Sequence, residues 1–239
     1  MSAFVGGVII NADAQILKAD YQFQGNLNSS VAGAPAMTNL TGSGGANSFS
    51  ADTVDGYARQ SLRFPFNSGV TVTTNGVIPN NTYTAVILFR FDQLTGFRRV
   101  FDATNGTLDQ CGGYVFDSRF EFETTTNNSI LFPNLYVQGT IVREASGRVR
   151  VYRDGFLKVD VTNDSGCFAI SNNLLRFFQD DTLQPTEASA GNVARIRLYD
   201  APMTDAQVRA LDRPQARPAA ATNRFYFKAD ATATPKFTQ

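Results

Sequence analysis

Three sets of side chains could do chemistry. "NLLRFFQDD", residues 173–181, sets Asp180 and Asp181 side by side after an apolar run, with Glu187 a few residues on. Calcium gathers about six to eight oxygens, many from loop carboxylates, so these three form a candidate Ca²⁺ site. The other reading is a polar loop closing a strand. Successive residues of an extended chain face opposite ways, so both carboxylates reach one ion only if the chain bends. "RFEFET" sets Glu121 and Glu123 on one strand face, about 7 Å apart. Carboxyls at about 6.5–9.5 Å serve inverting glycosidases, but paired Glu on a wet sheet face is also ordinary. Arg148, Arg150, Arg153, Arg195 and Arg197 make either a basic patch for an anionic glycan or a solvated face with cross-strand partners.

The counts narrow the chemistry further. The 239 residues contain no His, which removes Ser-His-Asp and Cys-His catalysis and His-ligated metals. Trp is absent while Phe stands at 20, so a sugar-stacking platform of the usual kind is missing. Cys111 and Cys167 are the only cysteines and fit neither a zinc pattern nor CxxC. They form one structural disulfide or two buried thiols. Charge balances at 21 basic and 21 acidic residues, leaving no net field to draw in nucleic acid. No apolar stretch is long enough for a membrane span. "MSAFVGGVII" resembles a signal h-region only faintly, because a basic n-region and a cleavage pattern are missing.

The elements that would position these groups read as strands. "RFEFET", "GRVRVYRDG" and "VARIRLYD" alternate apolar and polar residues: Phe120 and Phe122, then Val149 and Val151, then Ala194, Ile196 and Leu198 face inward. Arg148, Arg150, Tyr152, Arg195 and Arg197 are expected outward. "TYTAVILFRF", 82–91, reads as a central strand covered on both sides. Further strands are expected at 15–23, 57–64, 98–102, 113–117, 135–143 and 174–178. Asp154-Gly155 predicts a type I′ hairpin. The stretch 28–48 is expected to be a long polar loop. One helix has a capping box, Thr204 with Gln207. Past a Pro/Ala-rich spacer, "RFYFK" alternates again at Phe225 and Phe227. Many short strands separated by turn residues predict an all-β, two-sheet antiparallel sandwich (a jelly roll) with one short C-terminal helix and extra terminal strands.

"YQFQGNLNSS" (21–30), "LTGFRRVFDA" (94–103), "RVRVYRDG" (148–155), "NLLRFFQDD" and "EASAGNVARIRLYDAPMTDAQVRAL" (187–211) occur in that order. Together they resemble the laminin-G-like, concanavalin-A-like jelly rolls of bacterial secreted and surface proteins. The resemblance implies binding, adhesion or architecture, and often a structural Ca²⁺. Glucanases of this fold carry E-x-D-x-E on one strand; here "EFE" has no third acid. The domain is expected at 16–212, with an apolar extension at 1–15 and a linker plus strand at 213–239. The expected role is a non-catalytic extracellular or cell-surface module for adhesion or assembly, the alternative a glycan-binding lectin. Its partners would be a glycan, a surface protein or copies of itself. Self-association would use Phe4, Val5, Val8, Ile9 and Ile10 with Phe225 and Phe227 as exchanged strands; these segments could equally pair within their own domain.

Overall fold

The structure, a computed structural model, describes residues 15–213 except 110, 123, 124 and 165, with the main chain alone for 122 and 125–129. The outer extensions 1–14 and 214–239, with all seven residues named for self-association, lie outside the described residues.

Among the described residues, fifteen strands and one helix follow in order. They are β1 (Leu17–Tyr21), β2 (Thr38–Leu40), β3 (Ser48–Val54), β4 (Tyr57–Phe64), β5 (Gly69–Thr73), β6 (Tyr83–Phe91), β7 (Phe97–Asp102) and β8 (Gly113–Phe116). Then come β9 (Arg119–Phe122), β10 (Thr125–Ile130), β11 (Val137–Arg143), β12 (Val149–Arg153), β13 (Phe156–Val161), β14 (Leu174–Phe177), β15 (Gly191–Tyr199) and α1 (Asp205–Arg209). One sheet runs β13-β12-β11-β6-β15-β4-β3, with β1 also on β15; the other runs β10-β9-β8-β7-β14-β5-β2. All pairings are antiparallel.

Tight turns set the register. Asp154 and Gly155 both have positive φ, +50° and +87°, and bring Arg153 opposite Phe156. Asp55-Gly56 does the same for β3 and β4. Such turns match the right-handed twist of the strands they join.

The main core fills the space between the sheets. Tyr83, Ala85, Ile87, Phe89 and Phe91 of β6 point into it, and Thr84, Val86 and Leu88 are buried on the opposite face. That strand is covered on both sides, as its unbroken apolar run predicts. Phe64 stacks on Phe178 at 4.2 Å between centroids. Phe178 has φ +70°, and both it and Phe177 enter the core, so the turn overrides alternation there.

Four expectations change. The stretch 28–48 contains β2, and no expected strand covers β3, β5 or β10; β2, β3 and β10 are sheet edges or near-edges rich in polar residues. Alternation in β15 slips at a bulge between Val193 and Arg195, so Val193 faces the core and Ala194 packs outward with Val54 and Leu88. Tyr152, expected outward and wet, is fully buried. The chain after β15 folds back over it, and Tyr152, Val86, Val142, Tyr199, Met203 and Val208 form a second core. The capping box is present, with Gln207 N–H donating to Thr204 Oγ1 and Thr204 N–H to Gln207 Oε1. It starts α1 where Val208 can close that core.

Gly113 of β8 leaves space in the main core. A Cβ there would meet Phe101 Cβ at 3.5 Å, Ile141 Cδ1 at 3.7 Å and the Phe168 ring at 3.9 Å, all ordinary contacts. Gly113→Ala is expected to raise unfolding stability by about 0.4–1 kcal/mol, read as a higher urea midpoint at unchanged slope.

Candidate functional site

The sheet containing β15 has a seam. β6 pairs along one side of β15, and two strands share the other: β4 at Gly191–Val193 and β1 at Ile196–Tyr199. The bulge at Ala194 falls between them. The first half of β4 stays with β3 alone. Into this gap the chain leaving β1 folds the loop "YQFQGNLNSS" and forms a polar groove of about 340 Å³.

Asp20 forms the floor. Arg195 donates to both its carboxylate oxygens, at 2.7 and 2.8 Å. Gln22 Nε2 and Ser30 Oγ each add a bond of 3.1 Å. Burial opposes the charge of Asp20, but the Arg195 bonds and charge prevail and hold its carboxyl below the usual range. The loop is tied at many points. Ser29 Oγ accepts from Asp20 N–H and Val31 N–H, and Arg59 Nη2 donates to Gln22 O at 2.7 Å and to Ala194 O at 2.9 Å. Gln24 Nε2 donates to Gln60 O at 2.9 Å. Asn28 N–H donates to Asn26 Oδ1.

Phe23 is the strained member. Its φ is +52°, a region that aromatic residues rarely occupy, and its ring is buried in the main core. Strain of this kind is held by surrounding structure and concentrates at ligand sites. The anchored ring turns its neighbours Gln22 and Gln24 to the surface, beside exposed Asn26, Asn28 and Ser30. The groove therefore presents amides and a hydroxyl over a neutralised carboxylate. Amides both donate and accept, as the hydroxyls of a neutral sugar require.

The expected sites take different places. Asp180 and Asp181 are 2% and 1% exposed, so the loop does not turn them to solvent. It bends, and both carboxylates converge on one cation, the Arg99 guanidinium, at 3.1 and 2.6 Å. Glu187 contributes its backbone: its N–H donates to Asp180 Oδ2 at 2.7 Å and its carbonyl accepts from Arg99 N–H. Among the described residues no group of three or more His, Cys, Asp or Glu side chains is placed to hold a metal ion. Burial pushes the Asp180 carboxyl up, against the pull of Arg99.

Cys111 and Cys167 form a disulfide, with Cα atoms 4.9 Å apart. The arginine face is neutralised: Arg148 pairs with Asp160, Arg150 with Glu144 and Asp205, Arg153 with Asp154, Arg195 with Asp20, and Arg197 with Asp212. The chain after β15 supplies Asp205 and Asp212. Glu121 is buried and its carboxyl is pushed up by desolvation and by Asp117, while Glu123 lies outside the described residues. No described helix is long and apolar enough to cross a membrane.

Sequence reasoning did not single out the groove residues or Arg99. The signal for the groove was a dense run of Gln, Asn and Ser directly after a strand; Arg99 gave none.

No protein-family model matches the chain, and no curated protein sequence matches it. Solved structures share its frame. Domain 4 of AbnA, an extracellular GH43 arabinanase of Geobacillus stearothermophilus, in complex with arabinotriose, matches at TM-score 0.61 and 16% identity, over 82% of this chain and 98% of that one. A botulinum neurotoxin type C structure, from work on cell entry through two ganglioside molecules, matches at TM-score 0.54 and 9% identity, over 83% of this chain and 50% of that one. Trypanosoma rangeli sialidase with 2,3-difluorosialic acid matches at TM-score 0.50 and 14% identity, over 75% of this chain and 32% of that one. The chain thus spans half of the toxin chain and a third of the sialidase. These likenesses establish the class: a two-sheet antiparallel β-sandwich.

Proposed function

We propose that this chain is a non-catalytic carbohydrate-binding module of the laminin-G-like kind, and that the groove at Asp20–Ser30 takes a neutral sugar. The observation that carries the reading is the groove's preorganisation. Its loop is fixed by backbone and side-chain bonds around a strained, buried Phe23, so binding costs little ordering entropy. A shared frame with a domain bound to arabinotriose supports the class of ligand. The disulfide supports an oxidising, extracellular setting, where adhesion to a glycan surface is the biological use.

Glycan-array screening of the full chain, followed by calorimetry, tests this. One or more neutral oligosaccharides should bind, and Gln22→Ala with Gln24→Ala should weaken binding about tenfold, as expected for two lost neutral hydrogen bonds. The melting temperature should fall by only a few degrees, since both side chains are exposed and Ser29, Ser30, Arg59 and Arg195 still tie the loop. Chelator should have no effect, because Asp20 is committed to Arg195 and Asp180 and Asp181 to Arg99. Silence across neutral glycans, or full affinity in the double variant, would end the proposal. Chelator-sensitive binding would favour a calcium-held site instead.

A further inference from the structure

Away from the polar groove, a second depression of about 200 Å³ is lined by Ile130, Phe132, Leu135, Tyr136 and Arg153. Ile130, Phe132 and Leu135 are 53%, 62% and 61% exposed. Phe156, the cross-strand partner of Arg153, is 63% exposed, and Arg153 Nη1 reaches Ile130 O at 2.5 Å. A cluster of large apolar side chains left this open marks a contact surface.

The last described residue lies against its wall. Arg213 donates through Nη2 to Tyr136 O at 3.2 Å, through Nε and Nη2 to the Asp55 carboxylate at 2.7 and 3.0 Å, and through Nη1 to Asp154. Both Tyr136 and Asp154 line the depression. The side chain of Arg213 is therefore anchored at this wall, next to the depression. Beyond Arg213 the sequence continues through the spacer "PQARPAAATN", 214–223, to "RFYFK", 224–228, with Phe225 and Phe227 at alternate positions. A ten-residue Pro/Ala spacer extends to about 30 Å, enough to bring "RFYFK" back over the depression. A tether this short sets an effective concentration on the order of millimolar, far above that of a second molecule in dilute solution.

We propose that residues 224–228 dock on their own chain, with Phe225 and Phe227 covering Ile130, Phe132 and Leu135. The chain has no Trp, so Phe132→Trp supplies a single emitter at an exposed position that tolerates replacement. In the full chain, its emission should be blue-shifted and acrylamide quenching reduced about twofold relative to the same chain carrying Phe225→Ser and Phe227→Ser, as a mostly exposed ring becomes covered. Circular dichroism confirms that both chains are folded. Equal quenching in the two chains overturns the proposal. So does protection that grows with protein concentration, which would make the occupant a second copy.

Discussion

Arg99→Met is expected to lower unfolding stability by about 3–5 kcal/mol, the cost of leaving buried charges without their partner. Arg99 is fully buried in β7, and no part of its guanidinium is idle. Nε and Nη2 hold Asp180 and Asp181, Nη1 donates to Cys111 O, and the Tyr114 ring lies 4.0 Å from the guanidinium carbon. Backbone N–H groups complete the carboxylates: Leu183 and Gln184 donate to Asp181 Oδ1, and Glu187 to Asp180 Oδ2. One cation faces two anions, so the loop amides carry the remaining charge demand. Met fills a similar volume but leaves both carboxylates desolvated. The loss should ease in acid. The Asp180 carboxyl already sits above its ordinary range, so its folded state holds a proton more tightly than the unfolded chain does. A raised carboxyl favours the folded state as pH falls and disfavours it as pH rises. Without Arg99 the shift grows, so the deficit at pH 5 should be smaller than at pH 7. Urea unfolding at both pH values checks the magnitude and the sign. Adding Asp180→Asn and Asp181→Asn should recover part of the loss; a deficit that is pH-independent and unrelieved by the Asn changes would place the damage in packing alone.

Replacing Cys111 and Cys167 together by Ser is expected to cost about 4 kcal/mol, since the bond closes a loop with its ends 56 residues apart. Its position matters as well. Cys111 precedes β8 of the smaller sheet, and Cys167 follows β13 at the edge of the larger one. The bond ties the two layers at one end of the sandwich. Around Cys167 the chain is gathered by Asp164, which accepts from Phe168 N–H at 3.1 Å and from Arg143 Nε at 2.7 Å. Denaturant midpoints of the double Ser variant and of the reduced native chain should fall together. Cys111 O also accepts from Arg99, so the Ser pair and Arg99→Met should not be additive.

Much of the frame could be read from side-chain alternation. β9 and β12 lie where period-two patterns put them and β6 where an unbroken apolar run puts it, the hairpin forms at Asp154-Gly155, and Thr204 caps α1. These signals are local, made by residues a few positions apart. β2 and β10 lie at edges without a hydrophobic face on display, so no alternation announced them. The partners of charged residues were hidden for another reason. Asp180 and Asp181 meet an arginine 81 and 82 positions away, and Asp20 meets one 175 away. Only the strand order brings them together. Tyr152 and Arg150 looked solvent-facing because the segment that covers them, 200–212, has its own short pattern and no mark of where it lands. The groove was legible as composition, but its position depends on the seam between β1 and β4, which no local pattern encodes.

That seam also governs the order of assembly. β15 contacts β6, β4 and β1, yet among the described strands it is the last to be synthesised. Until it arrives, the nascent chain carries three strands with unsatisfied edges and no central partner. Such long-range pairing folds slowly and leaves edges open to aggregation. The two sheets can therefore close around a complete core only once β15 has been made, so the centre of the larger sheet is the part of the frame that forms late.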